Sequence, residues 1–434
     1  MTDATTAPVT EPTSPLQIAD YRRFWLARFL SVFATLSMVV LIGYQVYDVA
    51  RADYGMDRQH AAFMLGLLGA AQFVPLFLLT PLAGVAADRY DRRRVVLFAN
   101  SVDCLLALAL AIATLNDALT LPLLFGLAAG HGAARVFNGP ALSAIAPNIV
   151  PPALLPRAIA FGSIAWQVGT VIGPAVGGLL FAWVPSAPYF LSSALLLFAG
   201  ILIQTIRPVR ARHDGPQAHP LKQITEGFVF IRHERFLLGC ITLDLFAVLL
   251  GGATAMLPVF ARDILQVGPE GLGLMRGAPA VGAALVAAWL SYRPFEDNVG
   301  VKMLWAVVAF GAATIAFALS RNFLLSLGIL ALLGAADMIS VFIRSSLVQL
   351  NTPDSKRGRV SAISGLAISA SNELGELQSG LAAALLGATG AVVSGGVGAI
   401  VITAIWAWIF PELRRARTFS PKYLHEEPGK EPAS

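Results

Sequence analysis

Long apolar runs dominate this 434-residue chain and leave little sequence between them. They fall at about 23–49, 61–87, 95–115, 119–143, 157–183 and 187–206, then at 237–262, 271–292, 300–319, 323–348, 358–388 and 390–411. Each approaches the roughly 20 residues a helix needs to cross the hydrocarbon core of a bilayer. In that solvent a backbone must satisfy its own hydrogen bonds, so every run is expected to be helical. The expected fold class is an all-α integral membrane protein with twelve transmembrane helices in two six-helix bundles. With 56% hydrophobic and 13% charged residues, an ordinary water-soluble enzyme is excluded.

The one sizeable polar interruption runs from Arg207 to Pro220, and the following LKQITEGFVFIRHERF reads as a short interfacial amphipathic helix. The expected organisation is a disordered cytoplasmic tail over 1–20, a first bundle over 21–206, and a cytoplasmic linker with that helix over 207–236. A second bundle over 237–411 and a cytoplasmic tail over 412–434 complete the chain. The Thr- and Pro-rich start lacks the basic flank and apolar run of a cleavable signal. Most of the 31 Lys and Arg fall in segments on the side of the two termini, whereas Arg51, Arg58, Arg262, Arg276 and Arg321 fall on the other. The retention of basic loops in the cytoplasm then puts both termini inside, in a bacterial inner membrane. These basic residues form no contiguous patch, so the net charge of +5 does not point to nucleic acid.

Shifting the sequence by 202 positions exposes an internal repeat. Pro151 meets Pro353, Arg157 meets Arg359, Gly173 meets Gly375 and Gly178 meets Gly380, while Arg135 of the fourth span falls opposite Asp337 of the tenth. Two pseudo-symmetric halves with a substrate path between them are expected.

Between the second and third spans the chain reads Gly84-Val-Ala-Ala-Asp88-Arg89-Tyr-Asp91-Arg92-Arg93-Arg94. This resembles motif A of the major facilitator superfamily, GxxxDRxxRR. Gly84 allows close helix approach, and Asp88 can accept hydrogen bonds at the positive N-terminus of a neighbouring helix. Arg89, Arg92 and Arg93 can bridge to acidic groups or lipid phosphates, so the resemblance implies a cytoplasmic latch. The corresponding region of the second half, Ser291 to Asp297, lacks the pattern. In the fifth span Gly169, Gly173, Pro174, Gly177 and Gly178 are similar to motif C of the antiporter branches. Their four-residue spacing makes a smooth face, and Pro174 permits a bend. From about residue 20 to 412 the chain resembles the bacterial branch that includes enterobactin exporters and macrolide efflux pumps. Ala83 to Tyr90, Pro220-Leu221-Lys222, Leu350 to Pro353 and Gly358-Arg359-Val360 carry that likeness.

Charges inside apolar spans are costly unless they face a cavity or a partner. Asp103, Arg135, Asp244, Asp337, Arg344, Glu373 and Glu376 are therefore candidates for proton coupling or charge pairing. Glu373 and Glu376 share a helix face, and either can carry a coupling proton. Arg135 and Asp337, related by the repeat, are expected to pair between the halves, or else to satisfy groups within their own halves. Asp103 and Asp244, nearer the cytoplasmic ends, are expected to line an entry or reach water. Asp48 reads as a solvated rim acid. Tyr44, Gln45, Phe137, Asn138, Trp166, Gln167, Phe246 and Asn372 are candidates for lining a cavity that takes a planar or amphipathic substrate, although most aromatics in such proteins pack helices.

Cys104 and Cys240 lie in apolar stretches, the six His are scattered with only His131 inside a span, and no phosphate-binding loop or nucleophile elbow occurs. No metal, cofactor or enzymatic activity is expected, nor ATP-driven transport. The partners expected are a small-molecule substrate, protons and the lipid bilayer, with no need for an oligomer. The expected function is proton-coupled export of a small organic molecule, siderophore-like or drug-like. An importer or facilitator of the same fold, and a non-transporting receptor or scaffold, are the alternatives.

Overall fold

A computed structural model describes residues 13–208, 220–293, 295 and 297–419. The expectations for most of the two tails and for the start of the linker lie outside those residues. The first half consists of α1 (Ala19–Ala52), α2 (Arg58–Arg89), α3 (Arg92–Leu115), α4 (Leu121–Ile149), α5 (Leu155–Trp183) and α6 (Ala187–Gln204). A short helix, α7 (Pro220–His233), leads into α8 (Arg235–Leu250), α9 (Gly268–Tyr292), α10 (Val299–Leu319), α11 (Phe323–Leu350) and α12 (Asp354–Ile409). Ten helical stretches among the described residues are long and apolar enough to cross a membrane. Leu78, Trp305 and Leu385 lie on their outer faces at 65%, 68% and 82% exposure, a disposition that suits lipid and not water.

The last two apolar runs form one helix broken at Gly387, whose φ of 73° and ψ of 166° only glycine adopts readily. Counting α12 as two spans and including α4 gives the twelve. Side-chain caps start several helices: Asp57 accepts from the His60 backbone N–H at 2.8 Å, and Asn322 from that of Leu325 at 3.0 Å.

The seventh apolar run differs from the single helix expected over 237–262. After α8, Gly251 and Gly252 break the helix, a 3-10 turn covers Ala253–Met256, and a π-helical turn covers Phe260–Ile264. Space explains the choice of glycine, since a Cβ on Gly251 would lie 2.6 Å from the Phe310 ring. The π turn re-aims Arg262 and Asp263 toward the first half.

The repeat is visible in backbone and packing. Pro151 and Pro353 each precede a helical turn at φ −56° and ψ 146°. Gly173 of α5 packs on Phe33 of α1, and Gly375 of α12 packs on Leu249 of α8. At the boundary between halves Gly178 meets Pro269 of α9, and its counterpart Gly380 meets Gly66 of α2. The two halves thus touch along α5 with α9 and along α2 with α12.

The core is distributed unequally along the membrane normal. At the end away from the termini, buried side chains of both halves form one cluster, including Met38, Val46, Leu65, Phe181, Met256, Phe260, Leu272 and Phe317. At the end bearing the termini each half has its own: Tyr21, Phe24, Ile145 and Ile203 belong to one, Leu237, Met303, Leu347 and Leu413 to the other. The halves are closed together at one end and separately packed at the other.

Candidate functional site

Polar residues meet at two depths, at the closed end and at mid-membrane, some across the boundary between the halves and some within one half. At the closed end, Asp263 of the π turn accepts a hydrogen bond from the Tyr47 hydroxyl at 2.7 Å and lies 3.7 Å from Arg51 and 3.2 Å from Arg58. Its neighbour Arg262 pairs with Asp48 at 2.8 Å. Each half thus supplies an acid and a base. Asp48 is therefore not simply a solvated rim acid; its partner arrives from the other half through the π turn, a feature invisible in the apolar pattern.

At mid-depth, α4 presents His131, Arg135 and Asn138 at spacings of four and three residues, which places them on one helix face. The Arg135 guanidinium donates to the Glu373 carboxylate of α12. Arg135 therefore reaches the other half, but its partner there is Glu373. Asp337 sits on α11, seven residues from Arg344 and along the same face. Arg344 forms a buried ion pair with Asp244 of α8. Asn138 donates to Asn100 at 2.9 Å, and Asn100 to Ser31 at 3.1 Å, tying α4, α3 and α1 together. Asp103 does not reach water as expected for an entry residue: it is 1% exposed and bonds the His131 ring at 2.9 Å.

Two cavities adjoin these groups. One of about 40 Å³, room for more than one water, lies between the halves and is lined by Gln72, Arg276 and Glu376 among apolar side chains. Its walls close tightly: a Cβ on Gly69 would lie 2.7 Å from Cβ of Glu376. The second, about 220 Å³, is formed by α8, α11 and the first part of α12. Asp244, Arg344, Ser345, Gln349, Ser361 and Ser364 line it, and the Ser364 hydroxyl is buried without a hydrogen-bond partner.

The residues proposed from sequence to line a cavity separate. Gln167 donates to the Ala280 carbonyl across the halves at 2.6 Å. Gln45 is 4% exposed and spends its amide inside the first half, donating to Thr114 at 3.1 Å and accepting from Tyr189 at 2.6 Å. Tyr44 packs edge-on against Phe181, Phe137 against the first half's own core, and Phe246 against Trp406. Trp166 and Asn372 are exposed.

Of the residues resembling motif A, Gly84 and Asp88 belong to α2, and the side chain of Asp88 lies outside the described residues. Arg89 is exposed and Arg92 half-buried. Arg93 bonds Asp91 at 2.7 Å and the carbonyls of Gln204 and Ile206, fastening the loop to the end of α6. Burial acts to raise the Asp91 carboxyl, but hydrogen bonds from Arg93 outweigh it and hold the acid below its ordinary range. In α5, Gly169 and Gly177 face Val32 and Ser37 of α1, as Gly173 faces Phe33, and the Pro174 carbonyl meets Gly273 of α9. The glycine row thus serves the half's own packing, while Pro174 and Gly178 touch the other half.

Compared with known families, residues 10–428 match the transmembrane secretion effector family. The chain belongs to that family of major facilitator transporters. It is 26% identical over 409 residues to the enterobactin exporter EntS of Escherichia coli O1:K1, covering 93% of this chain and 94% of that one, and equally identical to EntS of Shigella boydii serotype 18. Among solved structures it resembles the peptide transporter POT (TM-score 0.71, 13% identity, 94% of this chain and 100% of that one). It also resembles the nucleoside transporter NupG (TM-score 0.70, 13% identity, 91% and 99%). This member of the secretion effector family is thus a multi-pass membrane transporter and not an enzyme, with ion pairs joining its halves at Asp263, Asp48 and Glu373.

Proposed function

We propose that the chain is a proton-coupled exporter of a small organic molecule, siderophore-like or drug-like, in a bacterial inner membrane with both termini cytoplasmic. The observation that carries this reading is the uneven core: one shared cluster at the end away from the termini and two separate ones at the termini. With the termini inside, this is the arrangement of a site open to the cytoplasm and shut to the exterior, one of the two states alternating access requires.

Cargo enters from the cytoplasm and contacts the cavity at Asp244 and Arg344, with Asp337 nearby. Either Glu373 or Glu376 carries the coupling proton: the first is held by Arg135 between the halves, the second faces the small cavity beside Arg276. Opening to the exterior requires the Asp263 and Asp48 pairs to part and the α5–α9 and α2–α12 contacts to loosen. The motif C row lets α5 move as a unit with α1, and the motif A loop serves as the cytoplasmic latch of the opposite state. The relationship to EntS supports export and makes enterobactin the first probe.

Everted membrane vesicles energised by respiration test the reading. Enterobactin or another cargo from a panel of siderophores and antibiotics is expected to accumulate, and to leak out when a protonophore collapses the gradient. Uptake indifferent to the gradient rejects coupling. Uptake into right-side-out vesicles under the same gradient reverses the direction.

A further inference from the structure

The coupling scheme above leaves one buried pair on the same face of α4 unused. His131 and Asp103 are each 1% exposed, joined from Nδ1 to a carboxylate oxygen at 2.9 Å. The other ring nitrogen of His131, Nε2, is buried with no hydrogen-bond partner. Such a pair has two states of different charge. With Asp103 ionised and His131 neutral, Nδ1–H points at the carboxylate, Nε2 is a bare acceptor, and the pair carries −1. A proton bound at Nε2 makes the pair neutral overall but leaves an N–H unsatisfied. The first state buries an uncompensated charge and the second an unpaired donor, so neither is fully satisfied by the pair alone.

The surroundings decide between them. Arg135 lies one turn along α4 and reaches Glu373 of α12, with Glu376 and Arg276 of α9 at the cavity beyond. Beside Asp103 on α3, the Cys104 thiol contacts Ser193 of α6 at 3.2 Å. From α2 the backbone at Gln72 closes on Gly132, where a Cβ would lie 2.5 Å from the carbonyl oxygen. From α1, Ser31 accepts from Asn100, one turn from Asp103.

We propose that the Asp103–His131 pair is a second proton-binding site whose charge decides whether Arg135 bridges the halves. The inference deepens the proton-coupled reading and rests on it. Without the proton, the negative pair draws Arg135 back toward α3 and weakens its bond to Glu373. With the proton bound, the neutral pair releases Arg135 to Glu373, and the end away from the termini stays closed. This sign suits an exporter exchanging protons for cargo: a proton taken from outside closes the outer face, and its loss to the cytoplasm readies the halves to separate there again.

The test has two arms. In protein labelled with 15N-histidine in lipid nanodiscs, the signal lost in His131→Gln identifies the residue among the six histidines. On passing from acid to base it is expected to change from imidazolium to the neutral Nδ1–H tautomer. A signal fixed in either form overturns the proposal, and this readout needs no variant beyond the one used for assignment. In the second arm, spin labels on Asp53→Cys and Gln266→Cys report the separation of the outer loops. Acid is expected to favour the short distance. Asp103→Asn, which removes the negative charge, is expected to keep it short in base, whereas His131→Gln, which removes the acceptor, lengthens it in acid. Shifts in the same direction, or none, overturn the proposal, because a merely structural role predicts no opposition between the two. Export that ignores the proton gradient rejects the coupling reading and leaves the titration readable; a fixed His131 rejects only this pair and leaves Glu373 or Glu376 as the carrier.

Discussion

Arg135 of α4 and Glu373 of α12, 238 residues apart in sequence, share a hydrogen-bonded ion pair across the boundary between the halves. Glu373 is nearly enclosed while the Arg135 side chain keeps 38% of its surface exposed, so the arginine is the partner free to withdraw. Arg135→Ala and Glu373→Gln are each expected to reduce gradient-driven transport on the order of tenfold or more, since an intramembrane charge loses its partner or its titration. Exchanging the two as Arg135→Glu with Glu373→Arg should restore part of the inter-half bond. Vesicle transport and a double-mutant cycle on thermal stability check both; independent, additive effects would show that the pair carries no coupling energy.

The Asp263 carboxylate accepts a hydrogen bond from Tyr47 and forms ion pairs with Arg51 and Arg58, all of the first half, and Arg262 holds Asp48 beside it. Asp263→Asn combined with Arg262→Gln is expected to favour opening at that end by about 1–3 kcal/mol, the scale of charge-assisted hydrogen bonds. A cysteine placed at the buried position Val40 should then react faster with a membrane-impermeant maleimide, roughly tenfold for each 1.4 kcal/mol. An unchanged labelling rate would mean that the apolar cluster alone closes that face.

Close backbone packing sets a third expectation. A Cβ on Gly66 would sit 2.8 Å from the Cα of Gly380, and one on Gly173 would sit 2.6 Å from the Phe33 carbonyl oxygen. Gly66→Leu is expected to wedge the halves apart, raising labelling at the outer end while the protein still folds. Gly173→Leu acts within one half and is expected to cost about 1–3 kcal/mol of stability through overpacking. Thermal unfolding in detergent read alongside cysteine labelling separates the two outcomes.

The Asp91 cap of α3 accepts from the Arg93 backbone N–H at 3.0 Å and from its guanidinium. Asp91→Ala is expected to lower stability by about 1 kcal/mol, the usual worth of a helix cap. Because burial raises this carboxyl but the Arg93 bonds lower it further, its folded pKa lies below the unfolded value. The contribution is therefore complete above the ordinary carboxylate range and fades as pH falls through the lower folded value. Melting temperatures of wild type and Asp91→Ala should converge in strong acid, and a constant gap would contradict the assignment.

Much of the fold is legible in the sequence because the bilayer imposes length and apolarity on each span, and the 202-residue repeat leaves paired prolines and glycines in register. Charge pairing was less legible. Arg135 has a repeat counterpart in Asp337, yet helix rotation and depth deliver it to Glu373, and neither quantity is encoded in spacing along one chain. Asp103 reads as a residue near the entry because spacing along α3 carries its depth and nothing of its neighbours; the ring of His131 that seals it comes from α4. Asp48 looks like any loop acid until the break at Gly251-Gly252 and the π turn carry Arg262 to it.

Where α2 crosses α12, Gly66 and Gly380 leave main chain resting on main chain. No side chain must change rotamer for one helix to roll or slip over the other there, so the joint works as a bare bearing. Friction between the two halves is then set by the charged clasps above it and the polar row below it, which can be made or broken one proton or one cargo molecule at a time.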